Sequence, residues 1–137
     1  MAEPDFPMTI YHNPDCGTSR NVLAMIRASG YEPKVVEYLK AGWTAEQLKG
    51  LMADARAAPR DFLREKGTPA ATLGLLASYV PDDQIIAAMI DYPILVNRPI
   101  VVTPKGVKLC RPSEVVFDLL ERRPDSFTKE DGEVVRP

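Results

Sequence analysis

Cysteine, histidine and tryptophan are scarce in this chain of 137 residues, which has two, one and one of them. Two thiols are too few for a disulfide framework or a zinc site built from thiolates. The single histidine, His12, has no partner ligands, so no metal centre is expected. An excess of one charge is lacking too: 17 Lys and Arg stand against 19 Asp and Glu, for a net charge of −2. With nothing basic dominating the surface, neither a nucleic acid nor a membrane is an expected partner, and any bound anion must be held by a local cluster. No apolar run approaches the ~20 residues of a membrane span. The opening MAEPDFPM has neither a basic stretch nor an apolar one, so no secretory leader is expected there. Few thiols and no leader point to the cytoplasm, where thiols stay reduced.

What is present reads as one domain, residues 1–137, with an ordinary 45% of hydrophobic residues. Met8–Tyr11 is β-prone and runs into Asn13-Pro14-Asp15, a loop signal. From Ser19 to Ser29, Val22, Leu23 and Ile26 share one helical face, and Gly30 closes the helix. Lys34–Tyr38 is a second strand. Thr44 with Gln47 forms a capping-box pattern ahead of Leu48, Leu51 and Met52. Helical segments are expected over Asp61–Lys66, Ala71–Ser78 and Asp82–Asp91, kept short by prolines 59, 69 and 81. Pro99–Thr103 and Val107–Cys110 are strands joined by Pro104-Lys105-Gly106, and Pro112 opens a last helix carrying Val116, Leu119 and Leu120. The tail from about residue 122 is charged and reads as a surface appendage. The order β-α-β, helices, β-β-α predicts an α/β, thioredoxin-like fold. Its mixed four-stranded sheet carries helices on both faces and a helical insertion over about 44–92.

Chemistry concentrates in YHNPDCGTSR, Tyr11 to Arg20. It puts Cys16 at the start of the first helix, where unpaired N–H groups and the helix dipole lower a thiol's pKa and favour an oxyanion. Thr18 and Ser19 add hydroxyls, and Arg20 adds positive charge. Val22 stands where the C-x₅-R anion loop of phosphatases needs arginine. Ser19 replaces the second cysteine of a C-x-x-C exchanger, so an oxidised or adducted Cys16 must be resolved from outside. Cys110, in an alternating strand, is expected buried and inert.

HNPDCGTSR, together with LVNRPIVVTPKGVKLCRPSEVV (Leu95 to Val116), resembles the glutathione- and glutaredoxin-dependent arsenate reductases of the thioredoxin-like superfamily. The likeness runs from about Thr9 through FTKEDGE, Phe127 to Glu133. It implies Cys16 as nucleophile and three oxyanion-binding arginines: Arg64 in a helical RDFLREK segment, Arg98 in VNRPIVV and Arg111 in KLCRPSE. Guanidinium stays charged and grips tetrahedral oxyanions through forked hydrogen bonds. His12 and Ser19 would tune the thiolate, and Pro99 resembles the cis-proline of such folds. The resemblance further implies arsenate as substrate with phosphate as competitor, no bound cofactor, glutathione as cosubstrate and glutaredoxin as partner. Two alternatives stay open within the superfamily. One is a glutathione-dependent thiol reductase without an arsenic role. The other is a non-enzymatic regulator that binds RNA polymerase, against which Ser19 speaks.

Overall fold

The computed structural model describes residues 6–137; the first five, part of the stretch read for a leader, lie outside them. The chain forms two compact units: one runs to Glu37 and resumes over Arg98–Pro137, the other is Tyr38–Asn97.

The first unit holds β1 (Thr9–His12), α1 (Gly17–Ala28), β2 (Lys34–Glu37), β3 (Ile100–Thr103), β4 (Gly106–Leu109) and a 3₁₀ helix, Ser113–Leu119. Its sheet has the order β2-β1-β3-β4, with β1 parallel to β2 and antiparallel to β3, and β3 antiparallel to β4. This is the mixed thioredoxin-like sheet that the element order predicts. Register sets Ile10 opposite Val101. Both are fully buried and pack with Val22, Met25 and Ile26 of α1 and Val116, Phe117 and Leu119 of the 3₁₀ helix. Burying each such side chain contributes roughly 1.5–3 kcal/mol. Alternation along β1 puts His12 on the same face as Ile10, toward α1.

Helix α1 ends in a glycine stop. Gly30 has φ +95°, a left-handed conformation open to a residue without Cβ, and Tyr31 N–H reaches back to the Ile26 carbonyl at 3.3 Å. The last helix differs from expectation. It is 3₁₀ in form and begins after Pro112, which follows a cis peptide from Arg111. The tail differs more. It folds into a hairpin of β5 (Phe127–Thr128) and β6 (Val134–Val135), and Phe127 and Val135 pack against the core.

The second unit holds α2 (Tyr38–Ala41), α3 (Ala45–Ala55), α4 (Asp82–Asp91) and the 3₁₀ turns Pro59–Phe62 and Pro93–Leu95. The capping box of α3 forms as read, with Gln47 N–H donating to Thr44 Oγ1 at 3.1 Å. Two helical expectations fail. Ala71–Ser78 is a series of turns, because Gly74 sits at φ +72° and Arg60 Nη2 takes the Ala77 carbonyl at 2.9 Å. Asp61–Lys66 leaves its 3₁₀ turn at Phe62, and Leu63 then pairs as a β-bridge with Val96. Arg64, the next residue, therefore lies outside any helix. Among the described residues, no helix is long and apolar enough to cross a membrane.

Candidate active site

The loop before α1 is built by Asn13. Its side-chain Oδ1 accepts the Asp15 N–H at 3.0 Å, and its carbonyl accepts the Cys16 N–H at 3.0 Å. This double turn delivers Cys16 to the N-cap position of α1 on extended backbone. The sulfur there faces the positive end of the helix, and the Ser19 backbone N–H of the first turn bonds to it.

Two arginines reach the same sulfur from the opposite strands. Arg98 precedes β3 and is joined to Pro99 by a cis peptide, as the sequence suggested; Arg111 follows β4. Arg111 Nη1 lies 3.7 Å from Cys16 Sγ and donates to the Arg98 carbonyl at 3.0 Å, so one guanidinium links the thiol to the backbone of the other arginine. Burial pushes the Cys16 thiol up. The Arg98 hydrogen bond, the Ser19 N–H, the Arg111 hydrogen bond and the Arg98 charge outweigh it and bring the pKa down to about 7. Cys110 shows the opposite case. It is fully buried in the core, and desolvation pushes its thiol up to about 12. Alkylation by iodoacetamide should therefore modify one thiol per chain, with a rate that rises through a midpoint near pH 7. A midpoint at the ordinary cysteine value of about 8.5, or two thiols modified in the folded protein, would contradict this electrostatic picture.

His12 and Ser19 lie beneath the loop, both buried. His12 Nδ1 is 2.6 Å from Ser19 Oγ, which also accepts the Asn13 N–H at 3.1 Å. Burial lowers the His12 pKa; Glu37 raises it, and Arg27 and Arg20 add to the lowering. A neutral ring with Nδ1 as acceptor fits this arrangement: Ser19 Oγ accepts the hydrogen bond of the Asn13 N–H and donates its own O–H to the imidazole. The chain of contacts runs from histidine to serine to the loop backbone, and Ser19's own N–H closes it on the sulfur.

Cys16, His12, Ser19, Arg98 and Arg111 thus belong to one unit. Arg64 belongs to the other, where its backbone N–H bonds the Leu95 carbonyl at 2.8 Å and its guanidinium donates to Lys66 O and Asn97 Oδ1. Arg20, read as a nearby positive charge, is engaged in a forked ion pair with Glu130 at 2.8 and 3.1 Å. The sequence gives no local sign of that pairing, since the partners are 110 residues apart. Asn13 is the other residue whose part was missed; its Asx-turn pattern in N-P-D was the available signal. Among the described residues, no group of three His, Cys, Asp or Glu could hold a metal ion.

Residues 11–119 match the ArsC family, and the chain belongs to that family. Among similar proteins, an arsenate reductase of Synechocystis sp. is 63% identical over 129 residues, covering 93% of this chain and 92% of that protein. An arsenate reductase of Rhizobium meliloti is 54% identical over the same length, covering 93% and 92%. A solved structure of an arsenate reductase from Vibrio cholerae has a TM-score of 0.79 at 36% identity, covering 84% of this chain and 98% of its own.

Proposed function

We propose that this chain is an arsenate reductase of the cytoplasm that uses glutathione and glutaredoxin and carries no resident cofactor. The observation that supports this best is a thiol with a pKa of about 7 at a helix N-terminus, held by two arginines, with serine in place of a resolving cysteine. The Cys16 thiolate attacks arsenic, the As–O bond breaks, and the oxygen leaves as water. Glutathione adds through a second As–S bond with loss of another water. Glutaredoxin's thiolate then takes the glutathione sulfur as a mixed disulfide. The bonding pair stays on arsenic, which passes from the pentavalent to the trivalent state. One water hydrolyses the Cys16–As bond and releases arsenite. The sum is one arsenate and two thiols giving arsenite, a disulfide and one water.

In this reading Arg98 and Arg111 first hold the thiolate and then the oxygens on which negative charge builds during attack. Arg64 is assigned to the same oxyanion by family likeness. His12 and Ser19 act as neutral partners that set the loop's shape, and phosphate, with arsenate's shape and charge, competes for the site.

A coupled assay tests the proposal by following NADPH oxidation with arsenate, glutathione, glutaredoxin and glutathione reductase. Turnover should need all four. Replacing the glutathione system by thioredoxin and its reductase should give none, because no second accessible thiol can close a disulfide on Cys16. Arsenate-independent turnover of a disulfide substrate would instead indicate a general thiol reductase, and sustained turnover on thioredoxin would indicate self-resolution.

A further inference from the structure

The β5–β6 hairpin touches both elements that follow the thiol-site residues in the chain, α1 after Cys16 and the 3₁₀ helix after Arg111. On one side Glu130 takes the forked Arg20 ion pair, and its backbone N–H donates to Asn21 Oδ1 at 3.0 Å, both partners being in the first turns of α1. Arg20 in turn donates from Nη1 to the Pro14 carbonyl at 2.8 Å, within the loop that delivers Cys16. On the other side Lys129 Nζ lies 2.9 Å from Glu114 and 3.3 Å from Glu133. Glu114 stands in the first turn of the 3₁₀ helix, three residues after Arg111. The Lys129 side chain is only 10% exposed, and the Glu114 contact holds its ammonium charged and that carboxyl ionised. Two adjacent residues of one tight turn therefore tie the start of α1 to the start of the 3₁₀ helix.

We propose that this turn is a clamp that fixes the Cys16 loop against Arg111, with Lys129 and Glu130 as positioning residues. The 3.7 Å approach of Arg111 to the thiol joins residues that are 95 positions apart in the chain, and a hydrogen bond from guanidinium to sulfur depends on keeping both distance and angle. An isolated exposed ion pair contributes little to stability. Here the pairs act together on geometry, and Phe127 and Val135 anchor the hairpin by packing on the core. The inference rests on Cys16 being the reactive thiol, not on arsenate being its substrate.

The experiment uses Lys129→Met, Glu130→Gln, the double variant and the conservative Lys129→Arg. Three readouts are taken on each: the rate of Cys16 alkylation at pH 6, kcat and KM for arsenate, and the melting temperature. Alkylation, free of interference from the buried Cys110, should slow about threefold in each single variant, a modest loss of thiolate stabilisation. KM should rise about three- to tenfold while kcat changes less, with Lys129→Arg restoring most of the loss. The double variant should lose little more than the worse single one, because either tie alone cannot hold the turn. Unchanged alkylation and KM, with or without a fall in melting temperature, would overturn the clamp and leave a stabilising hairpin only. A lower KM in Glu130→Gln would overturn it too, since Arg20 would then be a substrate ligand that Glu130 restrains. Should the protein not reduce arsenate at all, the alkylation rate still decides the question.

Discussion

Cys16→Ser should abolish arsenate turnover and leave the fold intact. The residue is the N-cap of α1, a position where serine is among the preferred residues, so helix stability should hold or rise. What disappears is the thiolate. A hydroxyl at this site cannot ionise near neutral pH, and two arginines that bring a thiol down to about 7 supply far too little to do the same for an alcohol. Activity of purified Cys16→Ser above a few per cent of the parent would remove Cys16 from the chemistry. Cys110→Ser is the matching control. Its thiol lies in the core with zero exposure and donates to the Lys108 carbonyl at 3.7 Å. A hydroxyl buried there should lower the melting temperature without touching kcat.

The contrast between these two cysteines was legible in the sequence because local pattern carried it. Cys16 follows an N-P-D turn and precedes a helical stripe, while Cys110 closes an alternating segment; in the structure Cys16 caps α1, and Cys110, one residue past the end of β4, is buried in the core. The Thr44 capping box and the hairpin at Pro104-Lys105-Gly106 were readable for the same reason, being short-range. Arg64 was placed on a helix because RDFLREK has helical propensity, and the bridge of Leu63 with Val96, a pairing across 33 residues, overrode it. The tail misled in a similar way. Its charge density suggested a solvated appendage, yet Phe127 and Val135 suffice to seat the hairpin, and its charges meet partners in α1 and the 3₁₀ helix. Propensity and composition describe a segment alone; they carry no information about complementary charges waiting elsewhere in the chain.

Arg98→Ala and Arg111→Ala should each lower kcat/KM for arsenate at least tenfold, about 1.4 kcal/mol of transition-state stabilisation. The two variants should differ in their effect on the free enzyme. Arg98 supplies the strongest of the contacts that lower the thiol's pKa, and adds its charge as well, so its loss should move the alkylation midpoint up further than loss of Arg111. Arg111→Ala removes the weaker contact to sulfur, and it also leaves the Arg98 carbonyl without the guanidinium that fixes it. Its damage should therefore appear more in arsenate turnover than in thiol reactivity. Lysine at either position should recover only part of the activity, because an ammonium keeps the charge and loses the planar fork that spans two oxygens. Full recovery by lysine would reduce the arginines to a source of positive potential. Wild-type kcat/KM in either alanine variant would place that arginine outside the reaction, however close it lies to the sulfur.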